Sequence, residues 1–488
     1  MFRLSLLSTL LLALPAVAGP RPNVVWIVVD DMSANFSCYG EKLIQTPNVD
    51  RLANEGTRFS KAFTTAPVCS PCRSAFITGC YQTTIGAQHH RSGRGKENIH
   101  LPEGVVPVPA LFQKAGYYTC IGGFGATGKK LGKTDYNFEW DPKIYDSNDW
   151  AGRKPGQPFF MQVQLHGGKH RGNGANKNWQ NRVKTELGSN TDPNVVKLPA
   201  YYPRDPVILQ DWADYLDCCR FTDKEVGDVI ARLEKEKLLD DTLVIFMTDH
   251  GISHARGKQF LYDEGIHIPF VVRGPSVPKG AVRTDPIEHI DMTAISLAAA
   301  GIEIPKWMQS RDVLAKDYAK RDAAFSARDR CDETMEHMRS VRTNDFKYIR
   351  NYMNERPHLQ PCAYKDGKTI VQKLRELHAG GKLDELQERL LFAPKRPAEE
   401  LYDLAADPQE LKNLADDPKF KSTVETLRKR LLDWEEATGD KGRKPEPLAM
   451  YLSDMAVYMA GDGAAKKGKN VELQRNIDLN LAWAKEGK

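Results

Sequence analysis

The sequence of 488 residues has little excess charge of either sign and, beyond its N-terminal segment, no long hydrophobic run. Lysine and arginine total 69 against 64 aspartates and glutamates, a formal net charge of +5, which does not favour a nucleic-acid-binding protein. A membrane helix needs about 20 consecutive apolar residues, and no later segment supplies them, so we predict no membrane span. The length suits one large domain and a smaller one.

The N-terminal segment has the pattern of a secretory signal peptide. Arg3 supplies positive charge, residues Leu4–Leu14 are largely apolar, and a small-x-small cleavage pattern ends at Ala18. The apolar run is too short for a membrane anchor, and no cysteine follows it that could carry a lipid. We therefore predict a signal peptide over residues 1–18 and an exported protein, periplasmic or secreted in a bacterium and lysosomal or extracellular in a eukaryote.

Apolar runs rich in β-branched residues alternate with helical patterns through most of the chain. The runs Asn23–Val29, Pro158–Leu165 and Leu243–Met247 are typical of strands buried on both faces. Further strands are predicted at Ile268–Val272 and Ala323–Ala327. The threonine-proline pair at residues 46–47 has the pattern of an N-cap and a first helical position, and Ile208–Lys237 predicts a long helix. This alternation predicts an α/β domain with a mainly parallel or mixed sheet.

The pattern changes after about Cys331. We predict two short antiparallel strands, a charged helix and one more strand, at Ser340–Thr343, Phe346–Asn351, Leu374–Leu391 and Leu401–Leu404. The segment Gly461–Lys469 is small, polar and basic, which favours a loop or a solvated tail over a binding patch. We therefore predict a main domain over residues 19–331, and a smaller C-terminal α+β subdomain with a tail over residues 332–488.

Two acidic pairs follow predicted buried strands: Asp30-Asp31 comes after the first, and Asp249-His250 comes after a later one. In open α/β sheets, ligands bind beyond the carboxyl ends of the strands. Three carboxylates are hard oxygen donors that favour calcium or magnesium, whereas the imidazole of His250 is a poor calcium ligand. From the spacing alone, a metal site and two structural turns are equally compatible with these pairs.

A cysteine-containing segment runs from Cys69 to Arg73 and reads Cys-Ser-Pro-Cys-Arg, followed by Ser-Ala-Phe-Ile-Thr-Gly. Pro71 predicts the first position of a helix, so Cys69 would lie just before a helix N-terminus, where backbone N–H groups attract anions. Arg73 would project from the first turn, and its planar guanidinium suits a tetrahedral oxyanion. The alternative is a redox or zinc-binding Cys-x-x-Cys. It leaves the acidic pairs unexplained, and no second Cys-x-x-Cys completes a zinc site.

This segment resembles the signature of the sulfatase family, Cys-x-Pro-x-Arg followed by Thr-Gly. The resemblance extends over nearly the whole chain after the predicted signal peptide, with several motifs in the family's order. The matching segments are Arg21–Asp31, Thr46–Ala53, Phe246–Gly251, Arg256–Gly265, and Leu401–Leu404 with Asp407-Pro408. The resemblance implies an alkaline-phosphatase-like α/β fold, with a large mixed, mainly parallel sheet flanked by helices and a smaller C-terminal α+β subdomain.

The resemblance also implies a role for each motif residue. In the family the signature cysteine, here Cys69, is oxidised to formylglycine by a maturation enzyme, and the hydrated aldehyde attacks sulfur. Arg73 and Lys258 would neutralise charge around the nucleophile and the sulfate, and His166 would contact the substrate and assist the leaving group. Without the resemblance, His166 is better explained as a surface histidine at a strand end. The residues implied to bind calcium, together with the modified Cys69, are Asp30, Asp31, Asp249 and His250.

One segment departs from the family pattern Gly-Lys-x-His, which follows the strand predicted at Tyr118–Gly122. Residues 128–135 read Gly-Lys-Lys-Leu-Gly-Lys-Thr-Asp, so Lys129 and Lys133 are both candidates for the sulfate-contacting lysine, and neither places a histidine. The second register retains a polar residue, Asp135, at the histidine position, whereas the first places a leucine there. We therefore predict that Lys133 is catalytic and that Lys133 and Asp135 both bind the substrate.

These motifs predict a sulfatase that hydrolyses sulfate esters, or N-sulfates, of an exported or environmental sulfated carbohydrate, with calcium and formylglycine as cofactors. A phosphonate or phosphodiester hydrolase with the same nucleophile is one alternative. A catalytically inactive carbohydrate-binding relative is another, disfavoured because the signature Cys, Arg, Lys and three Asp are all present. A Cys-x-x-Cys oxidoreductase, which would exchange dithiols without hydrolysis, is the weakest. The predicted partners are the sulfated saccharide and the formylglycine-generating maturation enzyme.

Overall fold

The computed structural model describes residues 21–462 and 470–488. The predicted signal peptide, residues 1–18, and most of the predicted polar tail lie outside these residues. The strands are β1 (Asn23–Val29), β2 (Thr57–Phe63), β3 (Tyr118–Gly123), β4 (Phe159–Leu165), β5 (Thr242–Thr248), β6 (His267–Arg273), β7 (Ala281–Arg283), β8 (Ile287–Glu288), β9 (Ala323–Arg328), β10 (Met338–Thr343), β11 (Phe346–Asn351) and β12 (Glu399–Asp403). The α-helices are α1 (Pro47–Asn54), α2 (Cys69–Thr78), α3 (Val108–Lys114), α4 (Lys177–Leu187), α5 (Pro206–Lys235), α6 (Asp263–Ile266), α7 (Asp291–Ala299), α8 (Ala363–Asp366), α9 (Thr369–Ala379), α10 (Glu385–Gln387), α11 (Lys421–Ala437), α12 (Leu448–Val457) and α13 (Asn470–Lys485).

The larger sheet has the order β3-β4-β1-β5-β6-β2-β7, with β8 also paired to β2. Strand β1 pairs in parallel with β4 and β5, and β3 pairs in parallel with β4. Strand β6 is antiparallel to both β5 and β2, whereas β7 and β8 are parallel to β2. The predicted mixed, mainly parallel sheet is confirmed.

Helices cover both faces of this sheet, which explains the continuous apolar run of β1. Val25 and Ile27 pack with side chains of α1 and α5 on one face. Val24 and Trp26 pack with side chains of α2, α3 and α7 on the other. The indole of Trp26 donates to the Ser296 hydroxyl of α7 over 2.8 Å. A strand buried on both faces has no position for an alternating polar residue.

The smaller sheet has the order β12-β11-β10-β9 and is antiparallel throughout. Helix α11 packs Val424, Leu427 and Leu431 against the core side chains of this sheet. The predicted C-terminal α+β region is therefore confirmed as an architecture. Its first strand, β9, precedes residue 331, at which the sequence pattern changes, and the division of the chain at that residue stays a prediction.

One local prediction was wrong. The Leu374–Leu391 region is not one helix, because α9 ends before Gly380-Gly381 and a new helix begins at α10; Gly381 has φ +61°, which a helix interior does not admit. The predicted positions of Thr46 as the N-cap and Pro47 as the first residue of α1 are confirmed; the Thr46 hydroxyl accepts from the backbone N–H of Ser37 over 2.9 Å and not from α1. Among the described residues, no helix combines the length and hydropathy that a membrane-spanning segment needs.

Candidate active site

The candidate site lies where β1, β4 and β5 end at one edge of the larger sheet. Asp30-Asp31 follow β1 and Asp249-His250 follow β5, and all four side chains are buried. Asp31 has φ +55°, and its backbone N–H donates to Asp249 Oδ1 over 3.1 Å, so the two turns are bonded to each other. The acidic pairs therefore meet in space, as their positions after parallel strands indicate.

One group of side chains has the donors expected of a metal site. Asp31, Cys69, Asp249 and His250 each offer an atom, and these atoms lie within 4.8 Å of one another. His250 Nε2 lies 3.3 Å from Asp31 Oδ1 and 3.2 Å from Cys69 Sγ. His250 Nδ1 lies 3.0 Å from the carbonyl oxygen of Gly251, which favours the proton on Nδ1 and leaves Nε2 for a ligand role. Burial raises the pKa of Asp249 to about 7, a penalty that a divalent cation would offset. The donors fit a divalent cation.

The remaining predicted metal ligand, Asp30, lies between this group and a cluster of cations. One carboxylate oxygen accepts from Arg73, and the other accepts from Lys133 over 2.8 Å and from Lys169 over 2.6 Å. Burial would raise the pKa of Asp30, but Lys133, Lys169 and Arg73 hold it well below its usual range. The carboxylate also contacts that of Asp249, which belongs to the ligand group. Asp30 therefore joins the predicted metal site to the predicted sulfate-binding cations.

Cys69 lies at the N-terminus of α2 and is its first residue. The sequence predicted that Pro71 would open the helix and that Cys69 would precede it; this was wrong by two residues. Proline is tolerated there because the first-turn N–H groups of a helix have no intrahelical partner to lose. Burial would raise the pKa of the Cys69 thiol, but Lys133, Lys169 and Lys258 hold it well below its usual range. The position of the predicted nucleophile is thus surrounded by positively charged side chains.

Lys258 and Tyr364 contact the nucleophile and its neighbours from another direction. Lys258 Nζ lies 3.2 Å from Cys69 Sγ and 3.0 Å from Asp31 Oδ1. The Tyr364 hydroxyl accepts from Lys258 Nζ and donates to Asp31 Oδ2, each over 3.2 Å. Sequence reasoning missed Tyr364, because it belongs to α8, far along the chain from the cysteine segment, and no motif marks it.

Of the two candidate lysines, only Lys133 reaches the Asp30 carboxylate described above; Lys129 is exposed on the turn at residues 127–130. Asp135 lies beside Lys133, with Oδ2 3.9 Å from its Nζ, and Oδ1 accepts from Arg94 over 2.6 Å. Burial would raise the pKa of Asp135, but Lys133 and Arg94 hold it well below its usual range. An ionised carboxylate therefore stands where the family pattern has a histidine.

A lysine, Lys169, contacts the nucleophile from the turn after β4. Its Nζ lies 3.7 Å from Cys69 Sγ. His166, to which the sequence assigned this region's substrate contact, packs its ring against Phe124 with centroids 4.0 Å apart and against His170 at 4.8 Å. Burial, then the charge of His170, lowers the pKa of His166. Sequence reasoning missed Lys169, although its place shortly after a parallel strand is a signal that could have found it.

The sequence profile of the sulfatase family matches residues 22–302. This span covers more than half of the chain and includes the ligand group, the nucleophile and Lys258. The chain belongs to the sulfatase family. Because sulfatases are sulfuric ester hydrolases, the predicted family and enzyme class are both confirmed. A second profile, described as the C-terminal region of N-sulphoglucosamine sulphohydrolase, matches residues 250–391.

Two curated relatives align along most of their length. An ulvan-active sulfatase from Formosa agariphila is 31% identical over 87% of this chain and 76% of the relative. The N-sulphoglucosamine sulphohydrolase of Homo sapiens is 27% identical over 87% of this chain and 91% of the relative. Both alignments extend well beyond the short cysteine signature.

Solved structures share the fold at low sequence identity. A protein crystallised with its substrate D-glucosamine-2-N,6-O-disulfate is 20% identical, with a TM-score of 0.58, and the match covers 87% of this chain and 100% of that one. A phosphonate monoester hydrolase from Silicibacter pomeroyi is 18% identical, with a TM-score of 0.57, and the match covers 86% and 96%. The predicted alkaline-phosphatase-like fold is confirmed, and the fold alone does not separate sulfate from phosphonate chemistry.

Proposed function

We propose that the protein hydrolyses sulfate esters, or N-sulfates, of a sulfated carbohydrate outside the cytoplasm, with formylglycine at position 69 and a bound calcium ion. One observation carries the proposal: Cys69 Sγ lies within 4.8 Å of donor atoms of Asp31, Asp249 and His250, and it also contacts the ammonium groups of Lys258 and Lys169 over 3.2 and 3.7 Å. The two relatives described above, named for ulvan and for N-sulphoglucosamine, support a sulfated saccharide as the substrate. The predicted signal peptide supports export, and the intact cysteine signature supports a maturation enzyme as partner.

The charges around position 69 suit a sulfate ester. The cationic side chains are Arg73, Lys133, Lys169 and Lys258, and the carboxylates are Asp30, Asp31 and Asp249. A sulfate ester carries one negative charge, and charge moves to the bridging oxygen as the S–O bond breaks. Cations that are already fixed in place stabilise this developing charge without reorganisation. An ordinary neutral cleft would provide no such stabilisation.

The cofactors would add chemistry that the unmodified side chains lack. Calcium, held by Asp31, Asp249 and His250 with Asp30 alongside, would polarise the sulfate oxygens as a Lewis acid. As formylglycine, residue 69 would supply a hydrated aldehyde with one hydroxyl to attack sulfur and a second to expel the sulfate afterwards. The Cys69 thiol marks the place of that nucleophilic oxygen.

The chain's own residues then bind and orient the reactants. Lys258, 3.2 Å from the sulfur of Cys69, would hold the attacking oxygen and the sulfate together. Tyr364 donates to Asp31 and accepts from Lys258, so it fixes the relative position of a metal ligand and a substrate-binding cation. Arg73 is fully buried against Asp30 and contributes a charge that cannot move away into solvent.

A substrate screen of matured protein tests the proposal. The protein, co-expressed with a formylglycine-generating enzyme, is assayed against defined sulfated saccharides, including N-sulfated and 6-O-sulfated glucosamine, and against matched phosphate esters and phosphonates. We expect sulfate release from at least one saccharide to exceed turnover of every phosphorus compound. Preferred turnover of phosphorus esters would support the phosphonate or phosphodiester hydrolase, and saccharide binding without turnover would support the inactive relative.

A further inference from the structure

We infer that Lys169 is a catalytic residue of this sulfatase, contacting the sulfate group of the substrate in place of the histidine that the sequence pattern assigns to the end of β4. The inference deepens the proposed function and rests on it. Lys169 belongs to none of the motifs by which the sequence resembles the family.

The backbone after β4 brings Lys169 to the nucleophile. Gly167 has φ +54°, and a Cβ on it would lie 2.1 Å from the carbonyl oxygen of Asp30. A Cβ on Gly168 would lie 2.2 Å from the carbonyl oxygen of Asp31. Only glycines allow this close approach, and Gly168 N–H donates to the Asp30 carbonyl over 2.9 Å. The two glycines therefore seat the turn directly on the acidic pair, so that the next residue, Lys169, enters the site.

The side chain of Lys169 is within reach of both the nucleophile and a substrate. Its Nζ lies 2.6 Å from Asp30 Oδ2, 3.8 Å from Asp31 Oδ1 and 3.7 Å from Cys69 Sγ. The side chain is 24% exposed, whereas that of Lys258 is 3% exposed. Lys169 therefore combines contact with the reacting position and access from solvent, as a residue that meets an incoming sulfate must.

Neutralising the charge of Asp30 does not by itself explain why Lys169 lies in the site. The Asp30 carboxylate already accepts from Arg73 on one oxygen and from Lys133 on the other. Arg73 also contacts Asp249 Oδ2 over 3.3 Å, so the four cations Arg73, Lys133, Lys169 and Lys258 face the three carboxylates Asp30, Asp31 and Asp249. One positive charge is surplus, Lys169 carries the most exposed of the three ammonium groups, and an anionic substrate is the ligand that such surplus charge favours.

The neighbouring histidines are held in an aromatic stack. The ring of His166 packs between Phe124 and His170, and His170 packs in turn on Trp179 with centroids 5.2 Å apart. Lys169 Nζ lies 5.8 Å and Lys133 Nζ 5.9 Å from the centroid of Phe124, so this ring contacts both His166 and the cationic cluster. The stacked rings orient the turn after β4, and Lys169 on that turn supplies the positive charge.

The test compares Lys169→Ala and Lys169→Arg with the matched control Lys177→Ala, an exposed lysine at the start of α4. All variants are matured, and their formylglycine and calcium contents are measured. We expect Lys169→Ala to lower kcat/KM for a sulfated saccharide by about 10²–10³-fold, the loss typical of one preorganised charge contact. Lys169→Arg should restore part of this activity, and Lys177→Ala should stay within about twofold of wild type.

A binding measurement separates substrate contact from a structural role. Inorganic sulfate is titrated calorimetrically into each matured variant, and its Kd should rise at least about tenfold in Lys169→Ala only, as loss of one charge-assisted contact predicts. Unchanged activity and sulfate affinity in Lys169→Ala would overturn the inference, as would a loss explained by missing calcium or formylglycine. If wild type itself releases no sulfate from any substrate, the proposed function fails instead, and the sulfate titration still reports on Lys169.

Discussion

The site has two halves that the chain builds in different ways. The anionic half consists of Asp30, Asp31, Asp249 and His250. These residues follow β1 and β5 directly, so two adjacent parallel strands determine their position. The cationic half consists of Arg73, Lys133, Lys169 and Lys258, which come from α2, from a short 3-10 helix after β4 and from two irregular segments. The predicted metal site could therefore be recognised from strand ends, whereas the proposed binding site for the sulfate depends on how loops converge.

Removing the residue between the two halves should have the largest effect. We expect Cys69→Ala to lower kcat/KM for the sulfated substrate by about 10⁴-fold or more, because loss of a covalent nucleophile leaves only binding and charge stabilisation. Steady-state kinetics measure the change. Cys38→Ser, at a cysteine outside the site, is the control and should retain activity; equal losses in both variants would indicate a general effect of cysteine removal on folding.

Weakening the anionic half should come next. Asp31→Ala removes a carboxylate from the ligand group, so bound calcium should fall well below one ion per chain and activity should fall by about 10³-fold. Metal analysis after dialysis against a chelator measures the occupancy. The matched variant is Asp240→Asn, whose side chain is 96% exposed. Full calcium occupancy in Asp31→Ala would show that the ion binds elsewhere.

The two candidate lysines can be compared directly, because Lys133 belongs to the cationic half and Lys129 lies outside it. Lys133→Ala should lower kcat/KM by about 10²–10³-fold, since it removes a fixed positive charge beside the nucleophile. Lys129→Ala should have almost no effect, because Lys129 is exposed on its turn. Both variants are compared at equal formylglycine content. The reverse ranking would show that the register chosen from the sequence was wrong.

A residue that bridges the two halves should have the smallest effect of this series. Tyr364→Phe removes one hydrogen bond to Asp31 and one from Lys258. Loss of one bond to a charged group costs about 1.5 kcal/mol, or roughly tenfold in kcat/KM, so loss of both sets an upper limit of roughly 10²-fold. Calcium content should stay unchanged. A loss as large as that of Lys133→Ala would mean that Tyr364 itself meets the substrate.

The sequence predicted the anionic half better than the cationic half for a physical reason. Asp30-Asp31 end a seven-residue apolar run, and such runs identify parallel strands and their carboxyl ends. Lys133 could be chosen only by register within its segment. Lys169 and Tyr364 were missed because their positions depend on the close packing of a glycine turn and on a helix from the far part of the chain.

The dependence on local packing also explains the errors in predicting the fold from the sequence. Strands β1, β4 and β5 were predicted to within one residue, because burial on both faces leaves an unambiguous apolar pattern, whereas β2, which is only partly buried, was not predicted. Helix boundaries were less predictable: α2 begins at Cys69, two residues before the proline that was expected to open it, and the glycines after α9 divided a predicted helix. The residues around a helix end are compatible with more than one boundary, whereas burial on both faces fixes the position of a strand.

Residue 69, which lies between the anionic and cationic halves of the site, is proposed to act as formylglycine. The most direct measurement prepares the protein with and without co-expression of a formylglycine-generating enzyme, quantifies residue 69 by peptide mass spectrometry, and assays sulfate release from the same samples. We expect activity to rise in proportion to the fraction of aldehyde or its hydrate at position 69, with Cys72 unmodified. Full activity in protein whose residue 69 is entirely thiol would contradict the account.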